Sequence, residues 1–208
     1  YVIVGSQTPE IYGPGNKLVN KGTSQPRANW RNNLDSIEYK LTDTRCAISD
    51  THIYFIKLAE ESIGSKMLTA PYTETSVNGS LKVQDFVLIN GKLIFLTEFG
   101  EIKETAGPLT SGKLAGPKEW SCLATYGTSL YASGYLPASK TNFYFVLTTD
   151  LKLKNSIQVV NKNKSTAVMR MLPLVRAGLR LILAAKQWSE IDVLVEHQDA
   201  LHHITTGT

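Results

Sequence analysis

The sequence predicts an all-β fold built from antiparallel meander repeats of about 40 residues. A short apolar run, a turn rich in Gly, Asn or Asp, and a second apolar run recur four times. The turns at Asp50, Gly91, Gly127 and Gly178 are separated by 41, 36 and 51 residues, close to the repeat of a four-stranded propeller blade. From Ser36 onward, residues alternate between apolar and polar, which indicates strands.

Four such units are compatible with three architectures. These are a small β-propeller, a split β-propeller, and a β-sandwich derived from propeller blades. The kelch double-glycine, WD and YWTD blade motifs are absent, so the pattern indicates no named repeat family. We expect residues 1–35 to form an irregular N-terminal arm and residues 36–208 to form the β-meander repeat domain.

The four hairpins follow one another along the chain. They are predicted at residues 46–56, 86–96, 121–132 and 172–183. Asn90-Gly91 is the strongest turn, because a type I′ hairpin needs positive φ at both central residues and both residue types tolerate it. Gly127 and Gly178 meet the same demand in the third and fourth hairpins.

The first 35 residues are rich in Gly, Pro, Asn and Ser. Pro9, Pro14 and Pro26 exclude a regular helix there. Tyr1–Val4 is a short apolar run, and we expect it to pair beside the C-terminal strand near residues 201–205. Such pairing would complete the last sheet and remove two exposed strand edges.

Two patterns near the C-terminus predict which strand faces are buried. Residues 179–184 are apolar on both faces, which is typical of a strand packed between two sheets. In the next segment Asp192 and Glu196 alternate with Val193 and Val195, which predicts one solvent-facing side. A helix over 174–186 is the alternative for the first of these segments, opposed by Gly178.

Composition and charge argue against a membrane-spanning protein and against a nucleic-acid-binding protein. The chain has 208 residues and a net charge of +4, and no run of 18 apolar residues is present. Its lysines are spread along the sequence, so we expect no nucleic-acid partner. A membrane connection is expected only through an anchor outside this segment, because the chain begins at Tyr1 and not at Met.

Cysteines and sequons favour an extracellular location. Cys46 and Cys122 occupy equivalent positions in the first and third hairpins, and we expect a disulfide between them. Two buried thiols are the alternative. Asn78-Gly-Ser and Asn163-Lys-Ser are N-glycosylation sequons in polar turns.

Known catalytic motifs are missing. The sequence has no P-loop, dinucleotide-binding glycine motif, Cys-x-x-Cys, His-Glu-x-x-His or Gly-x-Ser-x-Gly. Adjacent His202 and His203 would point to opposite faces of a strand and therefore could not easily share a metal ion. We accordingly predict no catalytic residues, no metal site and no cofactor, and expect that the chain is not an enzyme.

Two alternative functions remain open. A glycan-processing hydrolase on a propeller scaffold would need an arginine triad or paired carboxylates. Six arginines make a triad numerically possible: Arg27, Arg31, Arg45, Arg170, Arg176 and Arg180. An intracellular propeller scaffold is the other alternative, and it predicts reduced cysteines.

Aromatic and arginine side chains in predicted loops are the candidate binding residues, because recognition surfaces are enriched in them. They lie in the N-terminal arm, around the third turn and in the turn at 186–190. The candidates are Arg27, Trp30, Arg31, Tyr126, Tyr131, Tyr135 and Trp188. Alternation also fits Tyr131 to a core position.

An all-β meander with one cysteine pair, two sequons and no catalytic motif resembles the ectodomains of the invariant and procyclic-specific surface antigens of trypanosomes. The resemblance implies the extracellular part of a single-pass surface glycoprotein. Such a protein binds a host or signalling ligand, which would be a protein, a glycan or a small molecule. The expected function is therefore that of an extracellular binding module at the cell surface.

Overall fold

The structure is a computed structural model, and it describes thirteen stretches of the chain. They are residues 2–4, 10–13, 17–21, 46–57, 61–69, 73–78, 81–97, 99–105, 112–113, 119–161, 167–186, 190–198 and 200–207. The chain divides into two compact units, Tyr1–Lys82 and Val83–Thr208. The boundary expected near residue 35 lies outside the described residues.

The first unit contains two antiparallel sheets. Sheet 1 has three strands, β1 (Val2–Val4), β2 (Glu10–Gly13) and β3 (Lys17–Lys21). Sheet 2 has four strands, β4 (Cys46–Ile48), β5 (His52–Lys57), β6 (Ser62–Met67) and β7 (Glu74–Ser76). Each strand pairs with its neighbour in sequence, so both sheets are meanders.

The second unit contains three four-stranded antiparallel sheets. Sheet 3 comprises β8 (Val83–Ile89), β9 (Lys92–Thr97), β10 (Glu101–Glu104) and β11 (Gly112–Lys113). Sheet 4 comprises β12 (Glu119–Tyr126), β13 (Ser129–Leu136), β14 (Thr141–Thr148) and β15 (Leu153–Val160), with a 3-10 turn at Pro137–Ser139. Sheet 5 comprises β16 (Val168–Arg176), β17 (Leu179–Lys186), β18 (Ile191–His197) and β19 (Ala200–Gly207).

The predicted fold class is confirmed. Each of the four predicted hairpins forms the first two strands of a four-stranded meander, in sheets 2, 3, 4 and 5. The turn residues explain two of them: Asn90 and Gly91 have φ of 50° and 74°, and Ala177 and Gly178 have φ of 51° and 76°. Positive φ at both central positions is the type I′ geometry that matches strand twist.

The core of the second unit lies between successive sheets. One cluster joins sheets 3 and 4 and includes Ile94, Leu96, Leu123 and Leu130. A second cluster joins sheets 4 and 5. Its members are Cys122, Ala124, Tyr131, Tyr144, Val146, Val159, Val168, Met171, Ile182, Ala184, Leu194 and Leu201. Sheet 4 is therefore packed on both faces.

A buried carboxylate adds a polar link between sheets 3 and 4. Asp85 lies at a register shift in β8 and is 1% exposed. Its Oδ2 accepts a hydrogen bond of 2.6 Å from the backbone N–H of Leu123, and its Oδ1 accepts one of 2.9 Å from the N–H of Phe86. Because hydrogen bonds are directional, this link adds a fixed geometry to the apolar contacts between the two sheets.

Three short strands, β1 to β3, lie within the N-terminal stretch that was expected to be an irregular arm. In the sequence, Pro9 and Pro14 fall between these strands and not within them. In sheet 1, Val2–Val4 pairs with Glu10–Gly13, and in sheet 5 β19 pairs with β18. The pairing of residues 1–4 with the C-terminal strand stays a prediction.

The segment at 172–183 forms two strands, as predicted. Pro173 fits within β16 because β16 is an edge strand of sheet 5, where a missing N–H breaks no ladder. In the described part of the chain, no helix is long and apolar enough to span a bilayer.

The predicted faces of β18 are reversed. Asp192 is fully buried and the side chain of Glu196 is 11% exposed, whereas Val193 and Val195 are half-buried on the opposite face. The two carboxylates accept hydrogen bonds from tyrosine hydroxyls of sheet 4 and from Lys186 and Arg180 of the neighbouring strand β17. Alternation located the two faces correctly, but it assigned the wrong one to the core.

Candidate functional site

A cluster of polar and aromatic side chains lies at one end of sheets 4 and 5. Tyr126 and Ser129 flank the β12–β13 turn and Tyr131 follows in β13. Arg180 is the second residue of β17 and lies directly opposite Glu196 of β18. These five residues are called the arginine site below.

Hydrogen bonds converge on one nitrogen of the guanidinium. Arg180 Nη1 donates to Ser129 Oγ at 3.1 Å, to Tyr131 OH at 3.3 Å and to Glu196 Oε2 at 3.2 Å. Tyr131 OH in turn donates to Glu196 Oε2 at 2.8 Å. Because each side chain is held by at least one other, the guanidinium is fixed in position before any ligand arrives.

An aromatic ring covers one side of the guanidinium. The Arg180 Cζ atom lies 5.3 Å from the centre of the Tyr126 ring, a cation-π distance. Beside it is a cavity of about 280 Å³ lined by Val175, Gly178, Arg180, Glu196 and Gln198. The Arg180 side chain is 32% exposed and Tyr126 is 38% exposed, so a ligand can reach both.

The surroundings shift two pKa values in the arginine site. Burial raises the pKa of Tyr131 to about 12, and the hydrogen bond and negative charge of Glu196 act in the same direction. Burial lowers the pKa of Arg180, but Tyr131 and Glu196 more than offset it, so the net pKa is raised. Arg180 is therefore a permanent cation and Tyr131 a neutral hydrogen-bond donor at physiological pH.

The arginine site has unused hydrogen-bonding capacity. All three bonds from Arg180 leave Nη1, and a guanidinium carries five N–H donors. Both bonds to Glu196 go to Oε2. In the part of the chain that the structure describes, Nε and Nη2 of Arg180 and Oε1 of Glu196 have no hydrogen-bond partner. The arginine site can thus offer donors and an acceptor to one ligand.

A second polar cluster, the lysine network, is buried between sheets 4 and 5. Lys186 Nζ donates to Asp192 Oδ1 at 2.8 Å and to Asn161 Oδ1 at 2.9 Å, and it lies 3.4 Å from Glu190 Oε2. Tyr144 OH donates to Asp192 Oδ2 at 2.5 Å. Burial, together with the charge of Asp192, raises the pKa of Tyr144 well above its ordinary value.

The lysine network ties sheets together and offers no open face. The side chains of Lys186 and Asp192 are both 0% exposed. Thr206 Oγ1 donates to Asp192 Oδ1 at 2.7 Å, which adds β19 to the network. Because its polar atoms bond to each other across two sheets, its role is structural.

The predicted binding residues are only partly brought together. Tyr126 and Tyr131 both contact Arg180, whereas Tyr135 lies near the other end of β13, opposite Asn142, and is buried. The remaining four candidates fall outside the described residues: Arg27, Trp30, Arg31 and Trp188.

The expected disulfide between Cys46 and Cys122 is not found. Cys122 is a buried thiol in the cluster between sheets 4 and 5, with Sγ 3.2 Å from Ser133 Oγ. Its side chain packs as a small apolar group, and this was the alternative prediction.

The first sequon has a structural role. Asn78 Oδ1 accepts a hydrogen bond of 2.7 Å from the N–H of Ile63, and Nδ2 donates one of 2.8 Å to the carbonyl of Leu81. The other two residues of that sequon and Asn163 lie outside the described residues. An N-linked glycan on Asn78 would have to leave both bonds in place.

The three described arginines do not form a triad. The strand register puts Arg180 on the face of sheet 5 that packs against sheet 4 and puts Arg170 and Arg176 on the opposite face. The described part of the chain also contains no group of three or more His, Cys, Asp or Glu residues able to hold a metal ion.

Sequence reasoning missed Arg180 and Glu196 as site residues. One signal was present, because Arg180 is the single charged residue within the apolar stretch 179–184. A charge in such a stretch needs a partner, since a charge buried alone is costly.

Solved structures with a similar fold are β-propellers. They include Hsv2 from Kluyveromyces lactis, at 14% identity and a TM-score of 0.52, covering 74% of this chain and 49% of that chain. Hsv2 from Kluyveromyces marxianus matches at 12% identity and a TM-score of 0.51, covering 92% and 54%. The computationally designed protein Ika8 matches at 7% identity and a TM-score of 0.55, covering 99% and 60%.

These similarities establish a propeller-like fold, and they identify neither a family nor a function for this chain. The chain spans about half the length of the Hsv2 structures that it matches. No protein-family model and no curated protein sequence matches the chain.

Proposed function

We propose that this chain is a binding module that recognises another protein through the arginine site. The observation that carries the proposal is the pre-positioned guanidinium of Arg180, held by Ser129, Tyr131 and Glu196 beside an accessible cavity. Fixed Arg and Tyr side chains lose little conformational entropy on binding, and such residues dominate protein-recognition surfaces.

The chemistry of the arginine site favours a polypeptide as the ligand. Glu196 neutralises Arg180, so a bare anion gains less here than at an unpaired arginine. A peptide group carries both a carbonyl acceptor and an N–H donor. It complements the donors of Arg180 and the Oε1 acceptor of Glu196, and an apolar side chain of the ligand can pack on Tyr126.

A displayed random-peptide library tests the proposal. We expect peptides selected on the wild-type chain to lose at least tenfold in affinity on Arg180→Ala, because a charge-assisted contact contributes about 1.5 kcal/mol or more. Arg176→Ala is the matched control, since Arg176 is exposed in the same hairpin but lies on the other face. Equal binding by wild type, Arg180→Ala and Tyr126→Ala would refute the proposal.

We further propose an extracellular, cell-surface setting, in line with the resemblance to trypanosome surface-antigen ectodomains. The sequons at Asn78 and Asn163 support it. Expression of the chain through a secretory pathway tests the setting. A mass decrease on N-glycosidase treatment, abolished in the Asn78→Gln/Asn163→Gln variant, is expected. A secreted, folded chain without glycan at either position would contradict it.

An intracellular propeller scaffold is the second candidate, favoured by the Cys122 thiol. Buried reduced cysteines are typical of reducing compartments. Thiol counting on native protein from an oxidising and a reducing host separates the two settings. Cys122 reduced in both hosts, together with unused sequons, would favour the intracellular candidate. The arginine site and its test are the same in either setting.

A further inference from the structure

The face of sheet 5 that points away from sheet 4 is apolar over three strands. Strand register places Leu172, Leu183 and Val193 in one row across β16, β17 and β18. The next row is Leu174, Leu181 and Val195, and Ala185 lies opposite Ile191 in a third. This surface is called the outer face below.

The outer face is accessible to solvent. Leu172 is 59% exposed, Leu179 43% and Ile191 38%, and the central leucines and valines are half-buried. On the opposite face of the same strands, Ile182, Ala184 and Leu194 are at most 1% exposed because sheet 4 covers them.

An apolar face of this extent is unusual on a solvated antiparallel sheet. Such a sheet normally alternates apolar residues facing the core with polar residues facing water. In β18 the alternation is reversed, with Asp192 and Glu196 on the face toward sheet 4 and Ile191, Val193 and Val195 on the outer face. Contiguous exposed apolar patches mark interaction surfaces.

We propose that the outer face binds the outer face of a second copy of this chain, giving a two-fold symmetric dimer. The strands of sheet 5 are seven to nine residues long. A four-stranded sheet of such strands measures roughly 19 by 27 Å, or about 500 Å². Stacking two copies therefore buries about 1,000 Å² in total, the lower bound for a specific interface.

The outer face is complementary to itself under a two-fold axis parallel to the strands. That axis stacks β16 on β19 of the partner subunit and β17 on β18 of the partner subunit. With the rows in register, Leu183 then meets Val193 of the partner subunit, and Leu181 meets Val195 of the partner subunit. Large side chains face smaller ones, as sheet packing at about 10 Å requires.

Charge favours the same arrangement. Arg170 and Arg176 are exposed on the outer face and both lie on the edge strand β16. Stacking β16 on itself would oppose like charges, whereas the two-fold axis along the strands puts the arginines near Gly207 and Ala200 of the partner subunit. The arrangement also extends the stacking of sheets 3, 4 and 5, which the chain already uses for its core.

Sedimentation of the 208-residue chain tests the proposal. We expect a particle of twice 22.9 kDa that dissociates on dilution, with a dissociation constant in the micromolar range. Leu172→Lys places a charge on the outer face and should weaken dimerisation at least tenfold, because a buried unpaired charge opposes association. Leu153→Lys is the matched control, since Leu153 is 55% exposed in β15 of sheet 4.

Both variants change a leucine that is more than half exposed, so folding should survive in both, and circular dichroism checks this. Ile191→Lys, in β18, is a second variant on the outer face with the same expected effect. A monomeric wild type at about 100 µM would overturn the proposal, and the face would then have a different occupant. Dimers in which Leu172→Lys and Leu153→Lys behave alike would also overturn it, because the interface would lie elsewhere.

Discussion

Lys186 Nζ lies 2.8 Å from Asp192 Oδ1, and neither side chain is exposed to solvent. The two residues sit on neighbouring strands of sheet 5, but Tyr144 and Asn161, which complete their hydrogen bonds, belong to sheet 4 and the segment that follows it. The pair therefore fixes how two sheets sit on each other as well as how two strands pair.

Lys186→Met should destabilise the chain by about 3 to 5 kcal/mol, because Asp192 would be left as an uncompensated buried charge. Urea unfolding followed by tryptophan fluorescence measures the change. The double variant Lys186→Met/Asp192→Leu should lose less unfolding free energy than Lys186→Met alone, because it removes both charges. A double variant less stable than the single one would contradict this account.

Tyr144→Phe should cost about 1.5 to 3 kcal/mol of unfolding free energy, because the Tyr144 hydroxyl donates a charge-assisted hydrogen bond to buried Asp192. Thermal or urea unfolding reports the loss. Tyr126→Phe is the control, since Tyr126 is 38% exposed and its ring, not its hydroxyl, contacts Arg180. Equal stability of the two variants would show that the Tyr144–Asp192 hydrogen bond does not contribute to the stability of the fold.

Gly178→Ala should destabilise the β16–β17 hairpin by about 1 kcal/mol, because an L side chain is strained at a φ of +76°. An added Cβ would meet no atom within 4 Å, so strain alone is responsible. Gly207→Ala is the matched control, with equally open space and no positive φ. Comparable unfolding midpoints for both variants would contradict the prediction.

Alkaline pH should remove stability that depends on Tyr131. The pKa of this residue is raised to about 12 in the folded state, against about 10 when unfolded. The folded state therefore holds its proton more tightly, so the stabilisation is complete below pH 10 and is lost as pH rises toward 12. We expect Tyr131→Phe to show a shallower decline of unfolding free energy between about pH 10 and 12 than wild type. If unfolding free energy declined equally with pH in wild type and in Tyr131→Phe, Tyr131 would not be the source of the pH dependence.

The sequence predicted the positions of the strands better than the side-chain contacts between the sheets. Type I′ residues such as Asn90-Gly91 specify a hairpin locally, and the hairpins formed where expected. The arginine site and the lysine network were not predicted, because each joins residues from sheets 4 and 5 that are 48 to 65 positions apart in sequence. Local patterns carry no information about such pairings.

The orientation of β18 also depends on contacts that a local sequence pattern does not show. Alternation gives two faces with certainty, but which one is buried depends on the partners available across the sheet. Lys186 and Arg180 provide partners for Asp192 and Glu196 and so turn the polar face inward. A pattern within one strand cannot reveal a partner on another.

Every strand pair in the described sheets joins strands that are consecutive in sequence. Each hydrogen-bond ladder therefore stays within one meander. In the described part of residues 83–208, the contacts described above between neighbouring sheets each involve at least one side chain. Such a chain can gain or lose a whole meander without breaking any ladder in the others. The architecture is thus tolerant of duplication and deletion in evolution, with each change confined to the stacking surface that it creates or removes.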